Sequence, residues 1–500
     1  MNFTMNYTTR RCLTALVSIL LAALAAQAQA PVSTELPKAV PPDSTDVARA
    51  EKRHFWRASA EVVGFNLGLW AFDRYVQKGD FAYISWNSIK ENFKVGFKWD
   101  NDNMGTNTFL HPYNGSLYYN AGRSNGFNYW QSAMFAIGGS AMWEMFMERE
   151  YPSTNDIIAT PIGGTCLGEV FFRASDAVLD DRTTGMNRVG REFAGFILSP
   201  MRGFTRLVTG DMWRHRPTSG RVFGTPNVAL QISAGMKTLV CRGRFKHTLV
   251  GGSLRIDLEY GDRYEIKSKK PFDYFTFTCG LQFLRNQPLL SHLSIKGRLL
   301  AREYLEEKDT HLSIGLFQHF DYYDSNTVPG TDENPYKLGI PAEIGGGILF
   351  RDVERNRWTF DAYAHFNGVI LGSILSDHYV ENNRNYNWAS GFAAKLGGHL
   401  VFNRDKFSLT VNNEFYRLYT WVGYRTGTDL SKVNERLLNV QGDKSSAYFN
   451  VTEVTAQLRL WGNFYGSLAF TNYWRYTRYR DYPDVRSSSM ALCLRLAWKL

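Results

Sequence analysis

The carboxyl-terminal stretch from Met490 to Leu500 constrains this chain more than any other. Successive side chains of a strand point to opposite faces. Met490, Leu492, Leu494, Leu496, Trp498 and Leu500 therefore share one face, and Ala491, Cys493, Arg495, Ala497 and Lys499 share the other. An apolar, aromatic-tipped face set against a small and polar one is the pattern of a strand between lipid and a polar lumen. That reading governs compartment, fold class and partner class together, and leaves activity open.

The alternation begins near residue 225. Val228, Leu230, Ile232, Ala234 and Met236 alternate with Asn227, Ala229, Gln231, Ser233 and Lys237. Trp358, Phe360, Ala362, Ala364 and Phe366 alternate with Thr359, Asp361, Tyr363, His365 and Asn367. About twelve such segments run to the end of the chain, separated by turn-like or longer polar stretches. The expected class is an outer-membrane antiparallel β-barrel over residues 225–500, with an all-α domain before it. A soluble β-sandwich also alternates. Segments of roughly 10 residues and lipid-suited outward faces favour the barrel. Residues 323–336, 376–386 and 425–446 are the expected external loops, being long and rich in Asn, Asp, Ser and Gly. Arg255, Lys296, Arg298, Arg302, Lys395, Arg459, Arg495 and Lys499 are placed in the lumen, interleaved with Asp257, Glu259, Asp321, Asp361 and Glu414. Mixed signs suit a salt-bridged, plugged lumen at least as well as a selective pore.

The amino-terminal end agrees. Arg10 and Arg11 precede an apolar run from Leu13 to Ala26 that closes on Ala26-Gln27-Ala28, which predicts a signal peptide over residues 1–28. The run is short for a spanning helix, which needs roughly 20 apolar residues. Residues 29–50, rich in Pro, Ala and Ser, are expected to be a flexible leader. Cys166, Cys241, Cys279 and Cys493 are widely separated, with no metal-type spacing and no disulfide framework.

Residues 51–215 have helical texture. The spacing predicts helices over 55–75, 128–147, 154–179 and 186–208, with Ser153 as an N-cap. Gly138, Gly139, Ser140, Gly163, Gly164 and Gly168 are many small residues for helices in which Gly costs about 1 kcal/mol against Ala. They predict close helix–helix contact in an apolar setting.

The same region carries ordered motifs: His111-Pro112-Tyr113-Asn114-Gly115-Ser116, then Ala121-Gly122-Arg123-Ser124-Asn125-Gly126, then Pro152-Ser153-Thr154-Asn155-Asp156. Over about residues 80–200 this run resembles a family of Bacteroidetes-type envelope proteins, the domain of unknown function 3943. The resemblance implies an outer-membrane location and brings no activity with it.

The chemistry candidates lie here. Glu144 and Glu148 share one helical face at i, i+4, where like charges repel. A pocket of His111, Glu144, Asp156 and Arg123 is suited to metal binding or acid–base work. The competing reading is structural, with these groups and Ser124, Asn125, Asn155, Glu169 and Arg173 capping helices or pairing with Arg123, Arg149 and Arg173. Ser116, Ser124 and Ser132 near His111 leave a lipid hydrolase as an alternative by fold analogy alone. No nucleophile elbow, zinc-protease helix or C-x-x-C site is present. No cofactor, resident metal or nucleic-acid partner is expected. The net charge of +10 points to lipopolysaccharide phosphates or anionic solutes. The expected partners are outer-membrane lipid, lipopolysaccharide and the barrel-assembly machinery. The expected role is envelope transport or structure, with a narrow anion channel as a further alternative.

Overall fold

The computed structural model describes residues 40–100, 102–241, 247–264, 266, 270–306, 309–354, 358–378, 384–403, 405–424, 426–429, 432 and 442–500. The expected signal peptide and most of the expected leader lie outside the described residues. The leader's end is not an extended linker: Ser44–Ala50 is a helix, α1, capped by Asp43. Asp46 within it is buried and accepts from Thr218 Oγ1 and the Gly220 backbone N–H, which ties this turn down.

Twelve antiparallel strands form a closed barrel. They are β1 (Val228–Cys241), β2 (Leu249–Tyr260), β3 (Phe275–Phe283), β4 (Leu290–Glu306), β5 (Thr310–Tyr323) and β6 (Leu338–Glu354). The remainder are β7 (Trp358–Leu375), β8 (Tyr386–Phe402), β9 (Phe407–Thr420), β10 (Ser445–Trp461), β11 (Phe464–Tyr479) and β12 (Val485–Lys499). Closure is made by β12 against β1, with Ile232 opposite Trp498 and Gly235 opposite Arg495. Closure removes the open edges that would leave backbone groups unpaired in lipid. On β12 Leu492, Leu494 and Leu496 are exposed, whereas Ala491, Cys493 and Ala497 are buried, as the alternation requires. Arg302 departs from expectation. A bulge between Arg298 and Leu300 shifts the register of β4, and Arg302 beyond it ends on the exposed face beside Tyr304. A bulge places one extra residue on its strand and so reverses the faces beyond it.

The chain divides into two compact units that the sequence order does not respect. One comprises Met1–Ile89, Tyr113–Arg149 and Thr160–Asn227; the other comprises Lys90–Pro112, Glu150–Ala159 and Val228–Leu500. The expected single boundary near residues 215–225 therefore misses two stretches that cluster with the barrel.

Beyond α1 the helices are α2 (Phe55–Phe72), α3 (Trp86–Val95), α4 (His111–Ser124), α5 (Tyr129–Met142), α6 (Asp156–Val178), α7 (Gly185–Leu198) and α8 (Pro200–Val208). The helix expected over 186–208 is broken at Ser199, because Pro200 has no N–H to continue the ladder and instead opens α8. Helix α3 was not anticipated. The His111-Pro112-Tyr113 motif is not a turn but helical: the chain is already helical from Met104, and Pro112 follows the wide π-type turn Thr106–Leu110, in which the His111 N–H reaches back to Thr106 O.

Of the small residues expected at close contacts, Gly139, Gly164 and Gly168 are so placed, whereas a Cβ at Gly138 would meet nothing within 4 Å. A Cβ at Gly164 would meet the Gly115 backbone at 2.5–2.6 Å, and one at Gly168 would meet the Tyr119 ring at 2.6 Å. Gly164 and Gly168 thus let α6 close on α4 at one turn's repeat. Gly164→Leu should destabilise this unit by about 3 kcal/mol, the upper end of overpacking costs, since a rigid backbone cannot give way as a side chain does. Limited proteolysis should show early cleavage within 113–200 while the heat-modifiable barrel band persists; unchanged protease resistance would refute the contact.

Candidate functional site

Within the barrel unit, two short segments are laced together. Lys98 N–H donates to Pro152 O (2.8 Å), Thr154 N–H to Lys98 O (2.6 Å) and Asp100 N–H to Asn155 Oδ1 (2.9 Å). Both segments belong with the outer wall of the barrel rather than its lumen. Tyr386 and Trp388 lie on the face of β8 opposite lumen-facing Ala389, Ala393 and Lys395. Yet both are almost fully buried. Trp99 covers them, with its ring 6.0 Å from Trp388 and 5.1 Å from Trp421. Asn107 Nδ2 donates to Tyr386 Oη (2.8 Å), and Tyr386 Oη donates to Asp102 O (2.7 Å). Phe109, in the wide π-type turn Thr106–Leu110, packs on Tyr322 of β5 at 5.9 Å.

This anchoring sets the next residue, His111, against Asp156. His111 Nε2 stands 3.9 Å from Asp156 Oδ2, beyond hydrogen-bond length. Asp100 joins them, and one donor atom from each of the three lies within 4.8 Å of the others. Asp156 is buried, with Oδ1 accepting from Asn155 Nδ2 (2.8 Å) and its backbone N–H donating to Ser153 Oγ (3.2 Å), the expected cap. Burial, then the Asp100 charge, pushes the Asp156 carboxyl up to about 6 against the pull of His111. The neighbouring Asp100 carboxylate pushes Asp102 up to about 7. Burial by itself lowers the His111 imidazole, but Asp156, Asp100 and Asp102 outweigh it and hold it above its ordinary value. The arrangement is thus an excess of carboxylate around one imidazole.

The four residues of the expected pocket are shared between the two units. Arg123 and Glu144 belong to the helical unit, and His111 and Asp156 to the barrel unit. In the helical unit Glu169 is the hub. It is fully buried and accepts from Arg123 Nε (2.8 Å), Arg173 Nε (2.8 Å) and Tyr119 Oη (2.7 Å). The Arg173 guanidinium lies 3.8 Å over the Phe223 ring. Asn125 donates from Nδ2 to Glu61 Oε2 (2.8 Å). Glu144 is buried in the wide turn Trp143–Met147, and Glu148 follows it, half-exposed, as the last turn's cap residue. Ser116 donates to Tyr113 O (2.6 Å) and Ser132 to Phe127 O (3.4 Å). The enclosed Ser124 hydroxyl has no partner among the described residues. Two of the three serines are therefore spent on backbone carbonyls, which does not favour a Ser–His nucleophile.

A third group fills the lumen. Lys395 of β8 reaches past β7 to bond Asp321 of β5 and Glu343 of β6, the latter at 2.9 Å, and all three are fully buried. Lys296 pairs with Glu414 at 3.2 Å and Arg255 with Glu453 at 2.8 Å, β4 to β9 and β2 to β10. Tyr323 Oη adds a bond to Glu414 Oε2 (2.7 Å). Beside these bonds lies a cavity of about 80 Å³ bounded by Arg255, His292, Lys296, Tyr323, Glu414 and Glu453, room for a few waters. Glu343 was missed because two irregularities between Gly339 and Glu343 upset the alternation of β6. Asp100 and Asp102 were missed although they stand two apart, a visible acidic pair.

Comparison with solved structures gives weak likenesses. The NanC porin shows 7% identity and a TM-score of 0.26, over 54% of this chain and 100% of the porin. The COG4313 outer membrane channel from Pseudomonas putida F1 shows 9% identity and a TM-score of 0.26, over 55% and 95%. The Pseudomonas putida toluene transporter TodX shows 8% identity and a TM-score of 0.22, over 54% and 89%. The barrel rests on its own strand register and not on these likenesses. No curated protein matches the chain. Residues 96–201, which contain Asp100, His111 and Asp156 as well as Arg123, Glu169 and Arg173, match the family described as Domain of unknown function (DUF3943).

Proposed function

We propose that this protein works in the outer membrane as a closed barrel, whose role lies at the lipid phase and not in the passage of solutes. The observation that carries the reading is the set of ion pairs bonded across the lumen, Lys395 with Asp321 and Glu343, Lys296 with Glu414, and Arg255 with Glu453. A conducting pore needs water along its axis, whereas these side chains meet each other.

Two features support the lipid side. The outward barrel face exposes Met236, Leu300, Phe366, Leu396 and Leu494. Two helices of the helical unit bury charge and expose apolar side chains. On α7 and α8, Arg188, Glu192, Arg202 and Arg206 are buried, while Val189, Phe193, Phe204 and Leu207 are exposed. Their charges are used internally: Arg206 Nη2 lies 2.7 Å from both Asp181 Oδ1 and Glu192 Oε1, and Arg202 Nη2 lies 2.6 Å from Asp176 Oδ1. No helix among the described residues is long and apolar enough to cross a membrane. Amphipathic helices of this polarity lie in the interface with the apolar face in the acyl region. On this reading the partners are outer-membrane lipid and lipopolysaccharide, with the barrel-assembly machinery inserting the chain.

The test is reconstitution of the refolded full-length protein in planar bilayers, beside membrane fractionation. We expect an outer-membrane, heat-modifiable band and no unitary conductance steps. Regular anion-selective steps would overturn the closed-barrel reading and support the channel, and recovery as a soluble periplasmic protein would overturn the location.

A further inference from the structure

We propose that the outward barrel face around Arg417, Arg478 and Arg486 binds the phosphate groups of lipopolysaccharide, an inference that rests on the outer-membrane location proposed above. Strand register builds the patch. Arg417 pairs with Tyr448, Tyr448 with Tyr476, and Tyr476 with Arg486, so the four stand in one row across β9, β10, β11 and β12. Their lumen-side neighbours Tyr416, Phe449, Thr477 and Ser487 are buried, so the row itself faces outward. The Tyr448 and Tyr476 rings stack with centroids 6.1 Å apart. The Arg417 guanidinium carbon lies 3.7 Å from the Tyr448 ring centre, and that of Arg486 lies 4.8 Å from the Tyr476 ring centre. Two arginines thus flank a pair of tyrosines. Arg478 stands opposite Ser446, on the same face and one outward pair nearer the rim.

The depth of the row is set by topology. It lies toward the rim where β9 and β10 are joined by the long stretch between Thr420 and Ser445. At the opposite rim β10 and β11 are joined by the tight turn Gly462–Asn463. Outer-membrane barrels turn tightly on the periplasmic side and carry their longer loops outside. The row therefore belongs to the outer leaflet. Tyr419, Trp421 and Trp474 are exposed beside it, and such an aromatic girdle marks the level of the headgroups. Lipid phosphates lie at that level.

Charge decides the ligand. On the lumen face of β11, Arg475 is met by both carboxylate oxygens of Asp377 at 2.6 Å. Arg417 meets no carboxylate among the described residues. Its Nε donates to Tyr419 Oη (3.2 Å) and its Nη2 to Ser446 Oγ (3.3 Å), both neutral acceptors at long range. Its enclosed Nη1 has no partner among the described residues. Arg478 is exposed and makes no ion pair among the described residues. Arg480 and Asp481 pair with each other. Asp484 brings a carboxylate to the patch, accepting from Tyr476 Oη (2.7 Å) and the Tyr479 N–H (3.2 Å), and does not balance the three guanidiniums. The tyrosine faces hold the flanking arginines without neutralising them. A guanidinium's planar fork takes a phosphate bidentately, and the missing counter-charge is the one a lipopolysaccharide phosphate supplies.

The experiment uses refolded full-length protein in detergent, with bound lipid counted by native mass spectrometry. It is titrated with purified lipopolysaccharide, with the same glycolipid after phosphatase treatment, and with phosphatidylglycerol. We expect binding of lipopolysaccharide that removal of its phosphates abolishes. Arg417→Gln, Arg478→Gln and Arg486→Gln should each weaken it about fivefold, and the three together ~100-fold. Arg302→Gln, on the outward face of β4 toward the opposite rim, should leave it unchanged. Wild-type affinity in the triple variant, or equal binding of the dephosphorylated glycolipid, would overturn the site and leave the arginines as girdle residues alone. Equal binding of phosphatidylglycerol would overturn the assignment to the glycolipid. Should the triple variant fail to refold, the dephosphorylated glycolipid on wild type still decides. Location is tested apart: outer-membrane recovery without phosphate-dependent binding sinks this inference alone, whereas soluble recovery sinks the location.

Discussion

Glu169→Ala is expected to unfold the helical unit under conditions where the wild type is intact. Glu169 is fully buried and is shared by Arg123, Arg173 and Tyr119. Burying a carboxylate and two guanidiniums is costly, so the cluster as a whole adds little net stability. Removing its centre alone is different, because two guanidiniums then stay buried with their counter-charge gone. The cost of breaking such a cluster is about 3–5 kcal/mol, a large share of the stability of a domain. Glu169→Gln should cost less, since the amide oxygen still accepts. The triple change Glu169→Leu, Arg123→Met, Arg173→Met should recover part of the loss, and a triple variant no better than Glu169→Ala would contradict this account. The pH dependence has a definite sign. Burial alone raises the Glu169 carboxyl, but Arg123, Arg173 and the Tyr119 hydroxyl bring it below its ordinary value of 4.5. Its contribution is therefore complete above about 4.5 and is lost as pH falls through the lower folded value. Denaturation followed at pH 7 and pH 3.5 should show the gap between wild type and Glu169→Ala narrowing in acid.

The second large effect is expected in the lumen. Lys395→Met removes the ammonium that holds Asp321 and Glu343, and leaves two fully buried carboxylates side by side. The expected cost is again about 3–5 kcal/mol, read as a fall in the urea midpoint of the heat-modifiable band. Adding Asp321→Asn and Glu343→Gln should restore most of it, because the neutral pair can hydrogen-bond internally and no charge is stranded. His319 Nδ1, 3.1 Å from Lys395 Nζ, loses its donor in the single variant and must find water. A Lys395→Met protein as resistant to urea as wild type would mean that the lumen is wet enough to solvate both carboxylates, and would weaken the closed-barrel proposal with it.

The barrel was legible because its cause is local. Strand alternation is a property of neighbouring residues, so Leu492, Leu494 and Leu496 share one exposed face whatever the strand pairs with. Strand count and the outward faces of β7 and β12 followed from it. So did helix–helix closeness at Gly164 and Gly168, since only a missing Cβ permits such an approach. Arg302 and Glu343 mark where the rule ends, because a bulge adds a residue without any compositional sign and reverses the faces beyond it.

The site was legible only in its ingredients. His111 and Asp156 stood out as polar residues in apolar helices, and their meeting was expected. Their neighbours were not. Glu144 and Arg123 seemed to belong with them by sequence proximity, yet Arg123 serves Glu169, forty-six residues away along the chain. Asp100 reaches His111 and Asp156 because Lys98 bonds across to Pro152 and Thr154, and because Trp99 is held on Trp388 and Trp421. Composition and spacing thus determined the barrel, its apolar outer face and the presence of buried charge. Which charge meets which was decided by tertiary structure alone, because ion pairing depends on distances of a few ångströms between segments whose separation along the chain carries no record of them.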